Sequence, residues 1–389
     1  MKGIRPQSAT SLVTVTRSVS ILACCLALAA CTGEEGPSNA PTAASPSMAA
    51  PAATASAGTR ERWIVHGPAT TFVADHLYDC PVVVDNYRPG AVALATATDG
   101  TQIRVPADTL YERGIGPMSV DLYNECTQIM PEDSSGVDPE TAPIIEIDPD
   151  GEVITGYIVA DNYYELYVNG TVVSVDNTPY TPFNSAIVRF RVKRPYTLAF
   201  KLVDWDEHLG LGMELFPQGP RSDRYNSGDP WFMGDAGLIA RFSDGTVTGD
   251  HWKAQAFSIA PLDSPDEIIE RDDGTHDTSA RGTTNHDAVR PQCEEKGGDV
   301  EGDTRLMPAL AYLPSDCYAV HYPIPDGWQV AGFDDSAWPR AVVFPDDLVS
   351  TPKGLPAYFR YLDLFEGARF IWTNNLVLDN LVLARYTVE

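Results

Sequence analysis

Asn169-Gly170 is the feature that most narrows what this chain can fold into. It separates Tyr163-Tyr-Glu-Leu-Tyr-Val168 from Thr171-Val-Val-Ser-Val175, two runs rich in aromatic and β-branched residues. A type I′ turn needs positive φ at both central positions, and Asn-Gly meets that need at little cost. The first run alternates. Tyr164, Leu166 and Val168 fall on one side, and Tyr163, Glu165 and Tyr167 on the other, which is the period of a half-buried strand. The pattern predicts a hairpin with the first set in a core. The second set then faces outward, and Tyr163 and Tyr167 become candidate ligand-binding residues.

Strand patterns continue on both sides. Val153–Tyr157, Ile187–Val192, Tyr196–Trp205, Gly237–Phe242 and Lys253–Ile259 are separated by turn sequences such as Asp148-Pro-Asp-Gly151 and Ser243-Asp-Gly245. Upstream, Arg62–His66, Val82–Val84, Ala91–Ala95 and Gln102–Val105 are shorter candidates. No segment holds a sustained helical period. The class is all-β. We expect a small disulfide-closed β domain at 60–143 and a jelly-roll β-sandwich at 144–389. Residues 263–303, acidic and nearly free of large apolar side chains, read as a long-loop or disordered insertion in that sandwich.

Residues 1–30 read as a signal peptide. Lys2, Arg5 and Arg17 precede the apolar run Ile21–Ala30, which is too short to span a membrane. Leu28-Ala29-Ala30-Cys31 resembles the bacterial lipobox, whose cysteine becomes the lipidated first residue of the mature chain. An ordinary secretory signal is the alternative. Acyl chains on Cys31 would hold the protein at a membrane, each buried methylene contributing about 0.8 kcal/mol. In the lipoproteins this resembles, an aspartate after the cysteine favours inner-membrane retention. Thr32 stands there, so the expected location is the outer membrane, facing either the periplasm or the cell surface. The Ala/Pro/Ser-rich stretch at 31–59 has no aromatic residue and cannot offset its own ordering entropy, so it reads as a tether.

The chain has 27 basic and 54 acidic residues. Losing the signal removes three basic and no acidic residues, which leaves 24 against 54, a net of −30. Nucleic acid and anionic head groups are poor partners for that charge, while divalent cations and neutral or cationic ligands are compatible with it. Of seven cysteines, Cys24 and Cys25 leave with the signal and Cys31 takes the lipid. Cys80, Cys126, Cys293 and Cys317 remain. An even number in an exported chain argues for disulfides, and Cys80–Cys126 with Cys293–Cys317 keeps each bridge inside one expected unit.

Ala160-Asp-Asn-Tyr-Tyr-Glu-Leu-Tyr-Val-Asn-Gly170 and Phe333-Asp-Asp-Ser-Ala-Trp338 together resemble galactose-binding-like β-sandwich modules, the jelly rolls appended to many glycoside hydrolases and lectins. In the usual module the Phe-Asp-Asp-Ser turn precedes the Asn-Gly strand, and here it follows. One sandwich in permuted order and two partial modules both fit. Physically, Asp334, Asp335 and Ser336 suit a capped tight turn, and Trp338 suits a plug at the sandwich end. The resemblance implies carbohydrate binding as the commonest role and a structural calcium ion as a common accessory.

Local motifs add little chemistry. There is no Gly-x-Ser-x-Gly, His-Glu-x-x-His, Gly-x-Gly-x-x-Gly or P-loop pattern. Asp204-Trp205-Asp206-Glu-His208, with Trp231 nearby in sequence, offers carboxylates and indoles suited to a sugar, or else a solvated strand end. Asp272, His276 and His286 are candidate metal ligands in the acidic stretch, and Asp148 with Asp150 matches part of a calcium-loop pattern. The leading expectation is a non-catalytic, surface-anchored binding lipoprotein for glycan. Its partners would be the membrane, through the lipid, and polysaccharide or envelope proteins. A secreted hydrolase with an accessory sandwich and a structural envelope or matrix protein are the alternatives.

Overall fold

The structure, a computed structural model, describes residues 61–67, 70–73, 88–89, 91–105, 116–178, 180–181, 184–204, 236–282, 317–349 and 356–389. The signal peptide, Cys31 and the tether lie outside them. Contacts divide the chain into 1–55 and 56–389, and all described residues belong to the second unit.

In chain order the strands are β1 (Trp63–His66), β2 (Thr70–Val73), β3 (Arg88–Pro89), β4 (Ala91–Thr96), β5 (Gln102–Val105), β6 (Val120–Tyr123), β7 (Ile144–Glu146), β8 (Glu152–Asp161), β9 (Tyr163–Val168), β10 (Thr171–Val175) and β11 (Tyr180–Thr181). They continue as β12 (Ser185–Val192), β13 (Tyr196–Val203), β14 (Gly237–Phe242), β15 (Lys253–Leu262), β16 (Ile269–Glu270), β17 (His276–Asp277), β18 (Tyr318–His321), β19 (Val342–Phe344), β20 (Phe370–Trp372) and β21 (Asp379–Val388). Two large sheets dominate. The first runs β1-β18-β15-β21-β13-β9-β10, and the second β19-β20-β14-β8-β12-β6 with β7 added beside β12. Pairing within them is antiparallel except for β7 on β12. The fold is all-β, a sandwich of these two sheets.

The hairpin β9–β10 forms as its sequence predicts. Asn169 and Gly170 have φ of 50° and 86°, the positive values a type I′ turn requires. The Asn169 side-chain oxygen also accepts from the Thr197 N–H at 2.9 Å, which ties the turn to β13. Tyr164, Leu166 and Val168 lie beside Leu202, Phe200 and Leu198 of β13, and all six are buried. The second sheet packs against this face. Phe190 of β12 meets Tyr196 of β13 edge-on at 5.9 Å and Phe242 of β14 at 6.1 Å. Each large apolar side chain buried here contributes about 1.5–3 kcal/mol relative to exposure.

Within 60–143, expected as a unit of its own, β2, β4 and β5 make a three-stranded sheet of their own, while β1 and β6 join the two large sheets. Residues of β1 pair with β18, and β6 pairs with β12. Val65, Ala95, Ala97, Ile103 and Val105 form a small cluster that is completed by Ala260 and Ala319 of the sandwich. Short strands with so few apolar side chains gain more by packing on a large sheet than by closing a core of their own. The acidic stretch also departs from a plain loop, because residues 263–282 are structured. Ser264 and Glu267 form a capping box, and β16 pairs with β17. Residues 283–303 lie outside the described residues.

The other face of β9 is the larger correction. Tyr163 and Glu165 are each 1% exposed and Tyr167 is only partly exposed, so this face is not a free surface. The chain from 322 to 340 lies over this side of the sheet. Trp328 meets Tyr167 edge-on at 5.4 Å, and Arg385 of β21 binds Asp335 and the carbonyls of Trp328 and Val330. Within it the Phe333–Trp338 turn is capped by Asp334, while the Asp335 carboxylate is taken by Arg385. The Asp334 carboxylate accepts from the Ser336 N–H at 3.1 Å, and Trp338 is buried against Phe257.

Candidate functional site

The start of β21 alternates like the rest of the strand. Asp379, Leu381, Leu383 and Arg385 share the side that faces away from the sandwich core. In the same row across the sheet stand Gln255 of β15, Leu383, Lys201 of β13 and Glu165 of β9. Asp379 stands further along β21, opposite Ile259, and a carboxyl buried there needs partners. Asp379 has two. The Thr278 hydroxyl donates to one carboxylate oxygen at 3.0 Å, and the Thr373 hydroxyl donates to the other at 2.6 Å. Burial nevertheless pushes Asp379 up to about 7, with a smaller push from Asp277, against the pull of the two hydroxyls.

The turn between β16 and β17 brings a second group to this place. Asp273 accepts from the Thr275 N–H and hydroxyl, and Gly274 takes φ of 81°. The hairpin thereby lays His276 flat on Tyr322, with ring centroids 4.5 Å apart. The Gln255 amide nitrogen sits 2.9 and 2.8 Å from the two ring nitrogens of His276. Next in sequence, Asp277 contacts Arg271 at 2.7 Å and Asn374 at 2.9 Å. Burial works upward on Asp277, but hydrogen bonds from Ser279, Asn374 and Arg271 hold it down at about 2.

Together Gln255, His276, Arg340, Thr373, Asn374 and Asp379 line a cleft of about 20 Å³, with Pro339 and the β15 alanines Ala254 and Ala256 as its apolar part. That is room for about one water-sized group. Gln255 is 2% exposed, and its side-chain oxygen has no hydrogen-bond partner. No protein-family model, curated protein or solved structure matches the chain. The site is therefore judged on its chemistry: a buried amide acceptor, a carboxyl that changes charge near neutrality, and hydroxyl and amide groups converging on one small opening.

Of the residues singled out from sequence, only His276 lines this cleft. Asp272 is exposed on the turn of the same hairpin, and His286 lies outside the described residues. Asp148 and Asp150 sit at the β7–β8 turn. Asp148 accepts from the Lys193 N–H at 3.0 Å, and exposed Asp150 pairs with the Lys193 ammonium at 3.2 Å. Among the described residues no three His, Cys, Asp or Glu side chains gather as a metal site. Asp204 is buried beyond β13, its N–H donating to the Asn380 carbonyl at 2.9 Å. Trp205, Asp206, His208 and Trp231 lie outside the described residues. Tyr163 and Tyr167 direct their hydroxyls to Glu165 at 3.0 and 2.7 Å. Cys126 and Cys317 are buried, and Cys80 and Cys293 lie outside the described residues.

Gln255, Thr373, Asn374 and Asp379 were missed. Their one signal is a polar residue inside an otherwise apolar strand or strand end, as at Ile371-Trp-Thr-Asn-Asn375 and Leu378-Asp379. Asp379 also links the site to pH. Its folded value of about 7 lies above the unfolded 3.8, so the native state keeps a proton that the unfolded chain has lost between these values. The associated stability is present below pH 4 and is lost as pH rises through 7. Buried Asp176, also near 7, acts in the same direction, and buried His321, lowered to about 4, acts oppositely between pH 4 and 6.5. Asp379→Asn should remove its own share. In urea titrations the variant should gain about 2–4 kcal/mol relative to the parent between pH 5 and pH 8. An unchanged difference between the two pH values would count against a buried, proton-holding Asp379.

Proposed function

We propose that this protein is a lipid-anchored, non-catalytic binding protein of the bacterial outer membrane, and that its β-sandwich takes an extracellular glycan. The observation that carries the reading is the cleft beside Asp379. A buried amide oxygen without a partner, beside hydroxyls and a carboxyl, suits a hydroxyl-rich ligand better than an apolar one. Support also comes from the sequence of the leader and tether, and from the resemblance of the Asn169-Gly170 strand and the Phe333–Trp338 turn to galactose-binding-like modules. In this reading Cys31 carries the lipid. Cys80–Cys126 and Cys293–Cys317 are the disulfides, for which burial of Cys126 and Cys317 is the supporting fact. A structural calcium ion belongs to the same resemblance.

A glycan array, run with calcium and again with chelator, is the direct test. Binding to at least one glycan class should appear and should drop at least tenfold in Gln255→Ala. An array blank under both conditions removes the glycan reading. Loss of metabolic palmitate label in Cys31→Ser separately checks the anchor.

A further inference from the structure

We propose that the cleft receives a primary ammonium group, so that the preferred glycan carries free amino groups. The inference rests on the glycan reading for the carbohydrate part of the ligand, and on the cleft for the amine.

The lining is rich in acceptors. The Gln255 side-chain oxygen is buried and has no hydrogen-bond partner. Asn374 lines the cleft, its amide nitrogen donates to Asp277, and its side-chain oxygen is a further acceptor. Each oxygen of Asp379 accepts one threonine hydroxyl and has capacity for more. An ammonium offers three donors and no acceptor, which matches three such oxygens. A hydroxyl offers one donor and brings a further acceptor, so it leaves buried acceptors unmet, each a real cost. Size points the same way. About 20 Å³ has room for about one non-hydrogen group, which an amine fills more closely than the bulkier acetamido group.

The surrounding charges are accounted for. Asp277 is paired with Arg271 of the same hairpin, and Glu270 with Arg62 of the chain entering β1. Across the cleft, Lys253 is turned to the carbonyls of Ser336 and Trp338. Arg340 is exposed, so water screens it, and the ring of His276 is engaged by Gln255. The carboxyl of Asp379, pushed up to about 7 by burial, ionises as the ammonium enters. The net charge of −27 favours approach of a cation.

Calorimetric titration of the full chain with a fully deacetylated glucosamine tetrasaccharide and with its N-acetylated counterpart tests this. At pH 7 the amino form should bind at least tenfold more tightly. Its affinity should peak near pH 7, falling below as Asp379 takes up a proton and above as the sugar amine loses its charge. Asp379→Asn should erase the preference, and Asn374→Ala, at the partly exposed rim, should weaken amine binding at least threefold should the first variant fold poorly. Equal affinities at pH 7 overturn the amine inference and leave the glycan reading standing. Uptake of methylammonium that rises through pH 7 and stays high above it, but of no glycan, keeps the amine and removes the glycan. Binding of neither tetrasaccharide nor methylammonium overturns it outright.

Discussion

Lys201→Met should cost the fold about 3–5 kcal/mol, whereas pairing it with Glu165→Leu should recover most of that loss. Lys201 and Glu165 stand opposite each other on β13 and β9, with their charged atoms 3.1 Å apart and side chains only 5% and 1% exposed. Removing the ammonium alone leaves a carboxylate deep in the protein without its cation, and the desolvation cost of that charge falls on the native state. Removing both charges abolishes the cost. Some penalty persists in the double variant, because the hydroxyls of Tyr163 and Tyr167 lose the carboxylate that accepts them, at about 1 kcal/mol each. Urea titration of the three variants at pH 7 decides the matter. A single variant within 1 kcal/mol of the parent would show that the pair is solvated in solution and that this face of β9 is open.

That face also marks how far the sequence could be read. Alternation along Tyr163–Val168 tells which side chains share a side, and Asn169-Gly170 tells where the strand reverses. Both follow from rules that act within a few residues, and both appear in the structure. Alternation says nothing of what lies over each side. The cover on Tyr167 comes from Trp328, far along the chain, and polar residues such as Glu165 and Lys201 look the same in sequence whether they meet water or each other. The hairpin that places His276 is hidden for a different reason. Strands β16 and β17 have two residues each, too short to show a period, so nothing in the sequence marks Asp273-Gly274 as the turn of a hairpin rather than part of an acidic loop. The cleft assembles Gln255, His276, Arg340 and Asp379 from separate parts of the chain, and none of them carries a local pattern that points to the others.

Arg385→Ala should cost about 2–4 kcal/mol, chiefly from buried carbonyls left without a donor, and its damage should be local before it is global. The guanidinium is 1% exposed. It donates to Asp335 at 2.8 Å and to the carbonyls of Trp328 and Val330, and it lies 5.1 Å from the centre of the Phe333 ring. One side chain of β21 therefore fastens the chain from 328 to 335, which otherwise has turns rather than strands to hold it. Lysine keeps the charge but not the planar fork, so Arg385→Lys should fall between the parent and the alanine variant. Hydrogen exchange should show faster exchange at 326–338 in both variants, with β9, β13 and β21 still protected. Uniform loss of protection would mean that Arg385 supports the whole sheet rather than this segment. The consequence reaches the cleft, because the same segment ends at Pro339 and Arg340, which form its outer wall. The Lys253 ammonium, bound to the Trp338 carbonyl at 2.8 Å, is a second tie at that end. Ligand affinity should accordingly fall in Arg385→Lys even where the sandwich stays folded, and a variant with a loosened segment but unaltered affinity would place the binding surface elsewhere.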